Sequence, residues 1–167
     1  MPTGERLRVA LPLRWGDLDA YGHVNNATML RLLEEARVRT FWVNGEDDPA
    51  GAAAPAAPGL RLVRGGAAAD TLTLIAEQRV RYLAPMPYTE RPVDIQMWVT
   101  QIGGASFELG YEVFSPVGVE PPTLYCRASS TIVFVDAATG RPRAMSPEER
   151  AGLEAYRGEP VDFSRRG

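Results

Sequence analysis

Apolar and polar positions alternate over residues 7–15: Leu7, Val9, Leu11, Leu13 and Trp15 share one parity, with Arg8, Pro12 and Arg14 on the other. A period of two is that of a half-buried strand, and Pro12, lacking an N–H for the ladder, marks an edge or a bulge. From Asn26 to Val43 the period lengthens. Met29, Leu33, Ala36, Thr40 and Val43 recur at three- and four-residue steps, joined by Leu30 and Leu32, while Arg31, Glu34, Glu35, Arg37 and Arg39 occupy the rest. This predicts an amphipathic helix with Asn25 or Asn26 as N-cap and Asn44-Gly45 as its stop. At ~1.5 Å per residue it is a rod of roughly 27 Å, long enough to span a sheet.

Four more alternating runs follow. Leu72, Leu74, Ala76, Val80 and Tyr82 share a parity within 72–83; Val93, Ile95, Met97 and Val99 share another, as do Phe107, Leu109, Tyr111 and Val113. Leu124, Cys126, Ala128, Ile132 and Phe134 form one face of a last, long run. The turn signals between them are short: Ala84-Pro85-Met86-Pro87, Gly103-Gly104, and Ser115 to Pro122. Short links join antiparallel neighbours, because parallel pairing needs a longer crossover. Ser146-Pro147-Glu148-Glu149 has capping-box spacing with Pro at the first helical position, which predicts a short helix to about Tyr156. Residues 46–70, with an eleven-residue Ala/Gly/Pro run at 49–59, read as a long mobile connection, and the last ten residues as a loose tail. One long helix beside a five-stranded antiparallel sheet places the chain in the α+β class.

Composition narrows the chemistry. The 167 residues are 45% hydrophobic and 23% charged, which suits a single soluble domain. The net charge of −3, with no Lys/Arg run, argues against nucleic acid as a partner. Cys126 is the one cysteine and His23 the one histidine, so an intramolecular disulfide, a cysteine-rich zinc site and His-pair metal motifs are all excluded; no metal is expected. The N-terminal residues lack an apolar stretch of signal-peptide length and no window approaches a membrane span, so the expected location is cytoplasmic, away from the membrane.

The informative stretch is RWGDLDAYGHVNN, at the passage from the first strand into the helix. As a calcium loop it fails, with Tyr21 at the fifth position and Thr28 at the twelfth, where a bidentate Glu is needed. A Gly-x-Ser-x-Gly elbow, a phosphate loop and a dinucleotide fingerprint are absent. Cys126 lies on an apolar strand parity and reads as a small buried residue. What survives is a carboxylate just before a helix N-terminus, whose first-turn N–H groups are donors carrying partial positive charge. Asp19, His23 and Asn25 or Asn26 could form a compact site there, although Asp, Gly and Asn are equally ordinary in loops and caps.

The string RWGDLDAYGHVNNATMLRLLEEAR resembles the signature of hot-dog-fold thioesterases of the 4-hydroxybenzoyl-CoA thioesterase-like family, with its Asp-x-Asp pair, Gly, His, Asn and a helix carrying Glu-x-Ala-Arg. VRYLAPMPYTERPVDIQMWVTQIGGASFELGYEV and FVDAATGRPRAMSPEER resemble the family's later strands, so the likeness covers roughly residues 7–156. The resemblance implies a sheet curled around the long helix, homodimers or homotetramers, and hydrolysis of acyl-CoA thioesters, with coenzyme A as part of the substrate and no cofactor. By position it places the catalytic carboxylate on Asp19 and the carbonyl-polarising amide on or beside Asn26. His23 and Asn25 fall on the His-Val-Asn, shaping the site or positioning water; Gly22 belongs to the same signature, and Asp17 is equally well explained by a turn. Arg61, Arg64, Arg79, Arg81 and Arg127 are the arginines available to the phosphates of coenzyme A. Two other readings stay open: an acyl-CoA-binding domain without chemistry, and a hot-dog hydratase or dehydratase. The 46–70 insertion departs from compact family members and bears on substrate access.

Overall fold

The computed structural model describes residues 4–43, 63–64 and 69–164. The chain runs β1 (Leu7–Leu11), a 3-10 turn (Trp15–Asp17), α1 (Asn26–Phe41), β2 (Trp42–Val43), β3 (Val63–Arg64), β4 (Thr71–Tyr82), β5 (Val93–Ile102), β6 (Ser106–Phe114), β7 (Leu124–Asp136) and α2 (Pro147–Glu154). Five strands form one sheet in the order β1-β5-β6-β7-β4, with every neighbouring pair antiparallel. One face of it, the inner face, packs on α1.

The alternation explains that packing. Val93, Ile95, Met97 and Val99 of β5, Leu109, Tyr111 and Val113 of β6, and Cys126, Ala128 and Phe134 of β7 are fully buried on the inner face. Met29, Leu32, Leu33, Ala36 and Phe41 of α1 complete the core, with the Phe41 and Phe107 rings 5.9 Å apart. The expected α+β sheet-and-helix layout is therefore present. At α2, the Ser146 hydroxyl accepts from the Glu149 N–H at 3.1 Å, while the Glu149 carboxylate accepts from the Ser146 N–H at 2.8 Å.

Local physics overrides the sequence pattern at several places. β1 stops at Leu11, because Pro12 cannot extend the ladder, and Trp15 stands 76% exposed in the 3-10 turn instead of continuing the buried parity. Helix α1 stops at Phe41; Trp42–Val43, the expected last residues of the helix, are extended and pair in parallel with Val63–Arg64, which lie inside the expected connection. The rest of 46–70, apart from Ala69 and Asp70, lies outside the described residues. Arg37, placed on the solvent face by periodicity, is 8% exposed and donates to the Tyr111 hydroxyl at 3.2 Å.

β4 carries a bulge between Ile75 and Glu77, which inserts Ala76 and reverses the strand's facing. Val80 and Tyr82 stand in register with inner-face Ala128 and Cys126, whereas Leu72 and Leu74 fall beside Val135 and Val133 on the outer face. A single parity across the whole run is therefore not kept. β4 ends the sheet order, and Leu72, Leu74, Ile75 and Tyr82 on it are exposed.

The segment read as a tail is docked through Ser164. Beside β5, beyond the end of β1, the Gly158 N–H donates to the Val99 carbonyl at 2.8 Å and the Val99 N–H to the Tyr156 carbonyl at 2.9 Å. An edge left unpaired there is thus satisfied by the tail. The strap then crosses the outer face: Trp98 Nε1 donates to the Glu159 carbonyl at 2.7 Å, Arg127 to the Asp162 carbonyl at 2.9 Å, and Arg79 lies 4.0 Å over the Phe163 ring. Gly110 lets this happen, since a Cβ there would meet Val161 and the Trp98 ring at under 3.0 Å.

Candidate active site

The loop between β1 and α1 is held from inside by Asp17. Its side chain is 2% exposed and accepts from the Arg14 N–H at 2.7 Å and from the Arg14 guanidinium at 3.1 and 3.3 Å, while its carbonyl accepts from the Asn25 N–H at 2.9 Å. These bonds tie the start of the loop to the start of α1. Asn25 then caps the helix: its Oδ1 accepts from the Ala27 N–H at 2.8 Å and its carbonyl from the Met29 N–H at 3.0 Å.

Between these anchors the chain makes a tight turn around Asp19. The Asp19 N–H donates to the His23 carbonyl at 2.7 Å and the Gly22 N–H to the Asp19 carbonyl at 3.2 Å. Gly22 takes φ +78°, a left-handed conformation that a residue without Cβ adopts cheaply. Asp19 Oδ1 accepts from the Tyr21 and His23 N–H groups at 2.8 and 3.2 Å, which fixes the carboxylate, and Oδ2 has no donor among the described residues. The turn is pinned from outside by the Val24 N–H on the Met86 carbonyl at 2.8 Å and by a bridge between His23 and Pro87.

A cavity of about 380 Å³ opens between these two segments. Asp19, His23, Val24, Asn26 and Met29 line one side, and Tyr82 to Met86 the other. The Asn26 N–H, at the first helical position, has no acceptor among the described residues. The Tyr82 hydroxyl donates to the Asn26 carbonyl at 2.6 Å and closes one wall. A half-buried carboxylate and an unengaged helix-start N–H therefore border one hollow, an arrangement that can activate water or attack a carbonyl carbon while stabilising negative charge on its oxygen.

The sequence candidates separate accordingly. Asp19, His23 and Asn26 come together at the cavity. Gly22 and Asn25 are absent from its lining; one shapes the turn and the other caps α1. Arg81 lies on the outer face, opposite Tyr82 in the strand alternation, and donates to the Phe163 carbonyl of the strap. Arg79 and Arg127 are on that outer face too, and Arg127 pairs with Glu112 at 3.0 Å. Arg61 lies outside the described residues, as does the side chain of Arg64. Cys126 is buried, and burial pushes its thiol up to about 12, so it stays protonated at neutral pH. In the sequence the wall from Tyr82 to Met86 is marked only by the Ala84-Pro85-Met86-Pro87 turn, and nothing local ties it to Asp19. Among the described residues no group of three or more His, Cys, Asp or Glu side chains is placed to hold a metal ion, and no helix is long and apolar enough to cross a membrane.

Comparison with known proteins gives the class. The five-stranded antiparallel sheet with its helix matches the hot-dog fold of the thioesterase neighbours. Residues 13–153 match the model of the thioesterase-like superfamily, and the chain belongs to that superfamily. A thioesterase from Thermus thermophilus, solved with coenzyme A and zinc, is 23% identical over 96% of this chain and 100% of its own, with TM-score 0.64. A protein described as a predicted thioesterase from Bacillus stearothermophilus is 21% identical over 94% and 100%, with TM-score 0.69. A protein from Xanthomonas campestris, provisionally named an acyl-CoA thioesterase, is 26% identical over 78% and 93%, with TM-score 0.56. A search of curated proteins finds no match.

Proposed function

We propose that the protein hydrolyses acyl-CoA thioesters to a free acid and coenzyme A, with Asp19 as the catalytic carboxylate. The observation that carries this reading is the shared cavity: Asp19 and the unengaged Asn26 N–H both border it, within a fold whose relatives include a coenzyme A-bound thioesterase. The thioester carbonyl oxygen sits against the Asn26 N–H, where the partial charge of the α1 N-terminus adds to the hydrogen bond. Acting as general base, Asp19 takes a proton from water as the water oxygen attacks the carbonyl carbon. Collapse of the tetrahedral oxyanion breaks the C–S bond, and the thiolate receives the proton from Asp19. Acting as nucleophile, the carboxylate instead forms a mixed anhydride that water then opens. His23, with no side-chain hydrogen bond among the described residues, orients water or the thioester sulfur.

The chemistry calls for no cofactor beyond the coenzyme A of the substrate. Arg61 and Arg64 are proposed to meet its phosphates. A second copy is proposed to cover the exposed β4 edge, giving a homodimer or a pair of dimers, since an apolar terminal strand invites pairing. Thiol release from a panel of aliphatic and aromatic acyl-CoAs, followed with a thiol-reporting dye, tests the activity. Turnover that depends on protein concentration is expected; acyl-CoA binding with no thiol release across the panel would reduce the protein to a binding domain. Single-turnover hydrolysis in 18O-water bears on the two roles of Asp19: label in the Asp19 side chain arises only when water opens a mixed anhydride at the Asp19 carbonyl, whereas general-base hydrolysis places all of it in the product acid.

A further inference from the structure

The cavity beside Asp19 has an apolar base. Met29 is 2% exposed and Met86 3%, yet both line it, so they form its floor; Tyr82 and Leu83, 49% and 45% exposed, form its rim. Each floor residue is held by the main chain. The Met29 N–H donates to the Asn25 carbonyl at 3.0 Å in the first turn of α1, and the Met86 carbonyl accepts from the Val24 N–H at 2.8 Å. Val24, Ala84 and Pro85 add further apolar surface, and the Tyr82 hydroxyl is already engaged by the Asn26 carbonyl. Among the described residues no arginine lines the cavity, and the chain has no lysine. Asp19 supplies the one carboxylate there, and no guanidinium is at hand to balance a second.

We propose that this floor is the acyl subsite, and that Met29 and Met86 select an uncharged, apolar acyl group of about six to eight carbons, chain or ring. This deepens the acyl-CoA reading above and rests on it for the identity of the ligand. A thioester held at Asp19 and the Asn26 N–H extends in two directions. The coenzyme A arm is long and polar and leaves by the open rim, so the acyl group runs inward onto the two thioethers. A hollow of about 380 Å³, at about 30 Å³ for each water-sized group, holds on the order of a dozen non-hydrogen atoms. The thioester carbon, oxygen and sulfur take their share of that space, and the acyl tail fills the rest. Methionine adapts its rotamers, and its sulfur packs favourably at a ring edge, so a chain and a ring of that size are both accommodated. A carboxylate at the far end of the acyl group is rejected. It would give up its water against an apolar floor, with Asp19 repelling it and no cation lining the cavity to receive it.

The test is calorimetric titration of the full chain with S-alkyl-coenzyme A thioethers, which cannot be hydrolysed, in a series from methyl to dodecyl. Coenzyme A itself, which has no acyl group, is the reference for the parent and for each variant. Affinity is expected to rise about two- to fourfold per methylene up to about six to eight carbons and then to level off. S-benzyl-coenzyme A should bind close to the hexyl compound, and the ω-carboxylate analogue of the hexyl compound at least about tenfold more weakly. Met86→Phe, which raises the floor, should move the plateau to shorter chains, and Met29→Ala, which lowers it, to longer ones. Met86→Phe and the conservative Met29→Leu, which should keep the parent plateau, remain informative if Met29→Ala fails to fold. Affinity that does not depend on chain length, an ω-carboxylate bound as tightly as the alkyl compound, or a plateau unmoved by Met86→Phe would each overturn the subsite. Failure of hydrolysis is read separately. Chain-dependent binding without thiol release from acyl-CoAs leaves the subsite standing and removes the hydrolase reading; thiol release with a KM that ignores chain length does the reverse.

Discussion

The Tyr82 hydroxyl donates to the main-chain oxygen of Asn26 at 2.6 Å, tying the end of an edge strand to the first residue of the central helix. That bond fixes the Tyr82 wall of the cavity relative to Asn26 on the facing side. Tyr82→Phe removes it while keeping the ring. The expected outcome is a loss of about 0.5–1.5 kcal/mol in urea unfolding and a several-fold drop in kcat with little change in KM, because what loosens is the aim of the donor. A drop in stability with kcat untouched would make the bond purely architectural.

Asp17 and Asp19, two residues apart, should behave as opposites. Asp17 is buried under three bonds from Arg14, so Asp17→Asn should cost roughly 1.5–3 kcal/mol of stability. Per folded molecule its turnover should stay within a few-fold of the parent. Chemical denaturation together with an active-fraction assay separates stability from catalysis; a stable Asp17→Asn protein without turnover would move the catalytic carboxylate to Asp17.

Acid should weaken the C-terminal region through Glu149. Burial pushes its carboxyl up, but the hydrogen bond from Arg143, the Ser146 N–H and the Arg143 charge together outweigh this, leaving it below its ordinary 4.5. A carboxyl depressed in the folded state gives stability that is full above the unfolded value and lost as pH falls through the folded value. The difference in thermal midpoint between the parent and Glu149→Gln should therefore be widest near neutrality and shrink below about pH 4. A gap of constant size would assign the effect to packing.

The strap is predicted to carry measurable stability. Ending the chain at Arg157 removes the acceptor of Trp98 Nε1, the partner of the Val99 carbonyl and the ring over Arg79. A loss of roughly 2–4 kcal/mol is expected by urea unfolding, together with red-shifted Trp98 emission. An unchanged midpoint would make the docking incidental.

What could be read from the sequence followed from how local the cause was. The inner face of β5, β6 and β7 was legible because strict alternation admits one facing, and Ser146/Glu149 because a capping box is complete within four residues. β4 misled because one inserted residue, Ala76, reverses everything after it, and alternation carries no mark of a bulge. Arg37 misled because its place depends on Tyr111, 74 positions away. The strap was hidden for the same reason, since its partners Trp98, Arg79 and Arg127 lie on three different strands. At the site, Asp19, His23 and Asn26 were visible as one short string, whereas the opposing wall from Tyr82 to Met86 reaches them only through the fold.

The most direct measurement is steady-state hydrolysis by Asp19→Asn, with thermal unfolding recorded on the same preparation. The carboxylate that takes the proton or attacks the carbon is then gone, while the amide can still accept the Tyr21 and His23 N–H bonds that shape the turn. The account predicts a fall in kcat of about 10²–10⁴ with KM within a few-fold and an unfolding midpoint close to the parent's. Turnover within threefold of the parent (roughly 0.65 kcal/mol in the barrier) by a fully folded variant would contradict it.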